Sequence, residues 1–275
     1  LFEPAPAKLN LALHVRRRRD DGYHALETLF AFGADGDMLA VEEADADTLT
    51  IDGPFAAGLS TSDNLVLSAL GSMRALQPGA VPPLAITLTK NLPVAAGIGG
   101  GSADAAAMIR LLDRHYVRSG DRRALVSANA HLGADVGACI VGRTRIGLGV
   151  GAELHDAPDD LAGCPALLVN PGVPLSTGPV FRAWDGVDHG PLPDGSAREI
   201  AMAGRNDLEA PAIRLCPVIA DVLAQLRASD AWLARMSGSG ATCFALFDDL
   251  DARARAAGAI RVARPDWWCL ETVLV

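Results

Sequence analysis

No stretch of about 18 consecutive uncharged apolar residues occurs in this sequence, so no single membrane-spanning helix is expected. The opening, Leu1 to Lys8, has neither a basic leader nor a small-residue cleavage site, and the expected address is cytoplasmic. Cysteine is scarce: Cys139, Cys164, Cys216, Cys243 and Cys269 are odd in number, widely spaced and never arranged as C-x-x-C. That spacing argues against a disulfide framework or a zinc site and reads as reduced core thiols. Positive charge is also short, with a formal net charge of −9, so the broad basic face of a nucleic-acid binder is not expected. Aromatics make up only 5% of the residues, with two tyrosines among them, so an aromatic beside a motif carries weight. There is no internal repeat at a fixed period and no heptad run.

Half of the 275 residues are apolar, enough for a sizeable core in one large domain or two ordinary ones. Leu9, Leu11, Leu13 and Val15 alternate with Lys8, Asn10 and His14, which predicts a strand over Ala7–Val15 with Lys8 and Asn10 on one face. Arg16–Arg19 reads either as a solvated turn or as a positive lip that attracts an anionic substrate. Further strands are expected over Tyr23–Phe32, Met38–Val41 and Leu84–Thr89, and a helix over Ser62–Ala75 with Ser62 as its cap. A helix follows the glycines from Ser102, again a candidate cap, and another is expected over Asp121–Leu132, ending at Gly133.

Pro158–Pro165 has the composition of a linker, and it divides the chain into domains at 1–157 and 158–275. Beyond it the pattern gives a strand (Ala166–Asn170), a loop through Ser176 and Thr177, and a surface stretch from Asp185 to Ser196. Helix (Pro217–Arg227), strand (Thr242–Phe247), helix (Leu250–Ala257) and strand (Trp267–Val275) complete an αβ sandwich.

The chemistry concentrates in Pro93-Val94-Ala95-Ala96-Gly97-Ile98-Gly99-Gly100-Gly101-Ser102-Ala103, where a strand, four glycines and a helix start come together. Bare backbone N–H groups and the positive end of a helix dipole suit a phosphate. The Lys of a P-loop is missing, and Ser102 stands where G-x-G-x-x-G needs its last glycine, so Walker ATPases and Rossmann dehydrogenases are both disfavoured. A glycine run can equally be a turn that lets helices pack closely.

The run Pro-x-x-x-Gly-x-Gly-Gly-Gly-Ser-x-x-Ala closely resembles the phosphate loop of the GHMP kinases, the superfamily of galactokinase, homoserine kinase, mevalonate kinase and phosphomevalonate kinase. Pro6-Ala7-Lys8-Leu9-Asn10-Leu11 is similar to the superfamily's first motif, and Ser237-Gly238-Ser239-Gly240-Ala241-Thr242 to its third. Arg19-Asp20-Asp21-Gly22-Tyr23-His24, Leu132-Gly133-Ala134-Asp135-Val136, Ser176-Thr177-Gly178-Pro179-Val180-Phe181 and Asn206-Asp207-Leu208-Glu209 resemble one branch of it, in that branch's order. The resemblance implies a two-lobed α+β fold with ATP and substrate meeting between lobes. It implies a phosphoryl transfer from ATP, with Mg²⁺ arriving on the nucleotide, to a hydroxyl of a cytidine diphosphate sugar alcohol.

By the same resemblance Asp135 is the base and Lys8 lies beside it, favouring the developing alkoxide. Asn10, Tyr23, His24, Phe30, Thr177 and Phe181 surround the substrate, with an aromatic plane on the cytosine and His24 at its edge. Ser102 and Asp104 are candidates to assist magnesium, although no ligand set is visible. Partners beyond the small molecules are not expected, neither nucleic acid nor membrane, and the chain is expected as a monomer or weak homodimer. Another GHMP small-molecule kinase, such as a homoserine kinase, or a nucleotide-binding module without turnover, stays open as an alternative.

Overall fold

The computed structural model describes all residues, 1–275. The chain forms two compact units that interleave along the sequence. The first is 1–7, 35–94 and 99–142; the second is 8–34, 95–98 and 143–275.

The first unit takes the start of β1 (Phe2–Arg18) and the end of β2 (His24–Glu43), then β3 (Thr48–Asp52), α1 (Leu65–Leu76), β4 (Leu84–Thr89), α2 (Gly100–Leu112), α3 (Arg122–Ala128) and α4 (Ala134–Val141). β4 pairs antiparallel with β2, Met38 opposite Thr89, and parallel with β3. Leu84, Ile86 and Leu88 are all buried, as their alternation requires. α2 packs against α1 and α4. Its alanines at 103, 105, 106 and 107 are all buried, and such small side chains let neighbouring backbones approach. α1 is capped by Asn64, whose side chain accepts from Val66 N–H, and not by Ser62. Asn64 is the residue flanking the helix, where orphan N–H groups need an acceptor.

The second unit begins on the middle of β1 and the first half of β2. It continues through β5 (Arg145–Gly149), β6 (Glu153–Asp156), β7 (Pro165–Asn170), α5 (Thr177–Arg182), α6 (Ala197–Ala203), α7 (Glu209–Leu215) and α8 (Val218–Arg227). It ends with β8 (Leu233–Met236), β9 (Cys243–Leu246), α9 (Leu250–Ala263) and β10 (Trp268–Val273). β2 pairs with β5, and β5 with β6, all antiparallel. A second antiparallel sheet runs β10-β7-β9-β8, with α8 and α9 packed on it. Its core joins Leu167 and Val169 of β7 to Ile219, Val222, Leu223 and Leu226 of α8 and to Phe247. Each such side chain contributes about 1.5–3 kcal/mol on burial. The architecture is α+β, as expected. The sequence reading missed α6, whose Ser196 and Glu199 form a capping box, and α7 and β8.

Candidate active site

The glycine segment folds as the exit from β4 into α2. Ala95, Gly97 and Gly99 have positive φ (51°, 76° and 67°), while the residues between them do not. Alternation of this kind turns successive N–H groups toward a common concavity, the geometry of an anion nest. Ala95 is a non-glycine in the left-handed region, a conformation that costs about 1–3 kcal/mol and clusters at functional sites. α2 starts at Gly100, with Gly99 as an N-cap that offers no side chain. Ser102 therefore lies inside the first turn and caps nothing, because the helix begins two residues before it. The first-turn N–H groups that a capping side chain would satisfy have none at Gly99, and orphan donors of this kind attract anions.

Gly97 is fixed by its surroundings: a Cβ there would meet Ser237 O at 2.5 Å and Gly240 N at 2.8 Å. The turn Ser237–Thr242 thus closes directly on it, and only glycine fits both the space and the φ. Ser237 Oγ donates to Gly97 O at 3.0 Å and accepts from Asn10 N–H at 3.1 Å. Lys8 N–H donates to Ile98 O at 2.9 Å and Thr242 N–H to Ala96 O at 3.1 Å. In consequence, β1, the middle of the glycine loop and the third glycine motif form one hydrogen-bonded assembly. Asn206 steadies that motif, its Nδ2 donating to Met236 O and Gly238 O, both at 2.8 Å.

Lys8 and Asn10 lie on one face of β1, as their spacing requires, and both are buried. Lys8 Nζ donates to Asn10 Oδ1 at 2.8 Å, and Asn10 Nδ2 to Thr28 Oγ1 at 2.8 Å, with Thr28 donating on to Ala12 O. Thr28 was not anticipated; nothing local marks a strand threonine as a support for an asparagine eighteen residues earlier. Phe30 is 1% exposed, with Lys8 Nζ 5.4 Å from its ring centroid. It offers no free face to a ligand, and its contribution is to hold the ammonium by cation–π attraction.

His24 opens β2. Its imidazole lies 5.0 Å from the Phe181 ring, tilted by 38°, and 5.7 Å from Trp184 in an edge contact at 83°. Nε2 is buried without a hydrogen-bond partner. Burial, followed by the nearby Arg18 charge, lowers the His24 pKa below its ordinary value. Trp184, two residues past the end of α5, was missed because it follows the expected motif and lies remote from His24 in sequence. Tyr23 is 65% exposed beside this cluster's first member in the chain. Thr177 is the first residue of α5, not part of a loop, and shares a 2.9 Å hydrogen bond with Ser239.

Three of the four arginines at 16–19 have hydrogen-bond or ion-pair partners. Arg16 bonds Glu27 and Asp188, Arg18 donates to Arg182 O and Trp184 O, and Arg19 pairs with Asp21. Arg19 thus holds the turn, Arg18 the end of α5, and Arg16 a bridge from Glu27 on β2 to Asp188. Asp135 is half-buried in the first turn of α4, after Gly133 with its positive φ of 146°, where an acidic residue suits the positive end of the helix. Asp104, a candidate to assist magnesium, is buried and accepts a hydrogen bond from Lys90 at 2.6 Å. No group of three or more His, Cys, Asp or Glu side chains is placed to hold a metal ion.

The model of the GHMP kinases N terminal domain matches residues 64–143, and that of the GHMP kinases C terminal region matches 194–263. The 4-diphosphocytidyl-2-C-methyl-D-erythritol kinase of Novosphingobium aromaticivorans is 55% identical over 271 residues, covering 98% of this chain and 91% of that protein. Its namesake from Sphingopyxis alaskensis is 53% identical over 98% of this chain and 96% of its own. A crystal structure of 4-(cytidine 5'-diphospho)-2C-methyl-D-erythritol kinase superposes with a TM-score of 0.82 at 36% identity, covering 100% of this chain and 99% of that one. Homoserine kinase from Cytophaga hutchinsonii shares the fold, with a TM-score of 0.69 at 18% identity over 99% of this chain and 94% of its own. The chain belongs to the GHMP kinases, and within them to the family of the 4-diphosphocytidyl-2-C-methyl-D-erythritol kinases.

Proposed function

We propose that the protein transfers the γ-phosphoryl group of ATP to the 2-hydroxyl of 4-diphosphocytidyl-2-C-methyl-D-erythritol, a step in isoprenoid precursor synthesis. The observation that carries this reading is His24, whose unpartnered, buried Nε2 is held between Phe181 and Trp184 by ring contacts alone. A base edge reaches that atom once the imidazole rotates out of its contact with Trp184, and the Phe181 ring beside it provides a stacking plane. Homoserine offers neither.

Pro93 to Ala103 holds the phosphates, through backbone N–H groups and the start of α2. Asp135 receives the hydroxyl proton, and Lys8 favours the alkoxide as it develops; Asn10 orients Lys8 and Phe30 backs it. Tyr23, Phe181 and His24 hold the base, and Thr177, fixed by Ser239, lies on the same helix as Phe181. Mg²⁺ enters with ATP and keeps several waters. The 157/158 division lies in the stretch between the two family models, which end at 143 and begin at 194, whereas the compact units divide at 142/143 and interleave before it. No helix is long and apolar enough to cross a membrane. The protein works in the cytoplasm on small molecules alone, as a monomer or weak homodimer.

The test is product analysis. After incubation with ATP and the cytidine substrate, phosphorus–proton correlation by NMR should place the new phosphate on the 2-hydroxyl carbon of the methylerythritol. A phosphate on another hydroxyl, or ADP formation without a phosphorylated product, would overturn the assignment.

A further inference from the structure

Lys90, the residue after β4, is 3% exposed and joins two carboxylates at once: Asp37 on β2 and Asp104 on α2. Asp37 is fully buried and uses its other oxygen to accept the backbone N–H groups of Asn91 at 2.6 Å and Leu92 at 2.8 Å. These are the two residues that lead the chain into Pro93. Asp104 belongs to the first turns of the helix that leaves the loop, and a Cβ on Gly100 would lie 3.5 Å from Lys90 Nζ and 3.7 Å from Asp37 Oδ2. One ammonium therefore fastens the chain where it enters the glycine loop and where it leaves it.

Stability alone does not account for this arrangement. Two buried carboxylates share one cation, an excess negative charge that an apolar replacement of similar volume would avoid. Asp104 Oδ1 in addition has no hydrogen-bond partner, so the side chain is not there to complete a satisfied network. What the triad does fix is the distance between Leu92 and the first turn of α2, and with it the path of the residues between.

We infer that Asp37, Lys90 and Asp104 are positioning residues for phosphoryl transfer, setting the span of the phosphate loop so that its N–H groups face the nucleotide. The inference rests on the reading of Pro93–Ala103 as the nucleotide loop. None of the three touches the reacting atoms; they act through the loop backbone, where small displacements weaken binding steeply.

The test uses the full-length enzyme with four variants, Asp104→Ala, Asp104→Leu, Asp104→Asn and Gly99→Val, and measures kcat, both KM values and a thermal melt. Asp104→Ala removes the tie and leaves a neutral Lys90–Asp37 pair, and Asp104→Leu does the same while filling the space. Each should raise the KM for ATP at least about fivefold with the KM for the cytidine substrate within about twofold and no lowered melting temperature. Asp104→Asn still offers an oxygen to Lys90 and should return the KM for ATP to within about twofold of wild type. Gly99→Val, which forces a branched side chain into a positive φ at the N-cap, should raise the KM for ATP whatever the triad does. If Gly99→Val raises that KM while Asp104→Ala and Asp104→Leu leave it unchanged, the triad does not position the loop. Equal rises in both KM values for whichever Asp104 variant folds would also overturn the inference. If Gly99→Val leaves the KM for ATP unchanged, the loop reading fails and the inference with it.

Discussion

The imidazole of His24 and the ring of Phe181 lie 5.0 Å apart at a tilt of 38°, brought together from β2 and α5 across more than half of the chain. Arg18 fastens the end of that helix by donating to Arg182 O and Trp184 O. Phe181→Ala should lower kcat/KM for the cytidine substrate by one to two decades, since a stacked aromatic contributes about 1–3 kcal/mol. The KM for ATP should stay within about threefold. Steady-state kinetics with each substrate varied in turn checks this, and a loss that falls mainly on ATP would place Phe181 elsewhere in the mechanism.

His24 also makes base recognition depend on pH. Its pKa is lowered, by burial first and by Arg18 second, so the ring is neutral at pH 7 and Nε2 can accept from the cytosine N4 donor. For a group with a depressed folded pKa, the favourable state is complete above the ordinary value of 6.5 and is lost as pH falls through the folded one. The KM for the cytidine substrate should therefore be flat above that value and rise below it. A uridine analogue, which presents an acceptor in place of N4, should be used at least about tenfold less efficiently at pH 8, and the gap should narrow on acidification. A constant ratio of the two across the range would show that His24 does not read the base.

Much of this site can be read from residues that carry their own local signals. Leu84–Thr89 alternates cleanly and is a strand from end to end, and four glycines before an alanine-rich run mark a loop opening onto a helix. Other features depend on partners distant in sequence. Trp184 matters because it meets His24, and Phe30 is closed off because it lies against Lys8; neither contact leaves a pattern in the neighbouring residues. Asn64 displaced Ser62 as a cap because several polar residues precede α1 and any could have served. Asp104 did carry a signal that was read too narrowly: a carboxylate within a run of buried alanines needs a cation, and Lys90 was close by in sequence.

Asp104 also gives stability a pH dependence. Burial raises its pKa from 3.8 to about 7, with Lys90 opposing the shift and the charge of Asp37 adding to it. Because the folded value exceeds the unfolded one, the favourable contribution is complete below 3.8 and is lost as pH rises through about 7. Asp104→Asn removes this titration. Thermal melts of the two proteins should diverge between about pH 4 and pH 7, the span bounded by those pKa values, with the variant gaining on wild type toward the upper end. Parallel melting curves across the range would mean that Asp104 stays ionised throughout.

For the chemical step, Asp135→Asn should cut kcat by about 10²–10⁴-fold, because the amide keeps the shape and cannot accept a proton. ATP binding, measured by calorimetry, should be nearly intact. Lys8→Ala should act on the same step, and the double variant should lose far less than the product of the two, as residues working as a unit do. A retained kcat above about a third of wild type in Asp135→Asn would remove it as the base.

The most direct test of the whole account is a coupled ADP-release assay in which the wild-type enzyme meets 4-diphosphocytidyl-2-C-methyl-D-erythritol, homoserine and mevalonate at equal concentration. Turnover should be confined to the cytidine substrate, with the other two at least about a hundredfold slower, since neither can occupy the aromatic and polar group at His24, Phe181 and Trp184. Comparable turnover of homoserine or mevalonate would contradict the account.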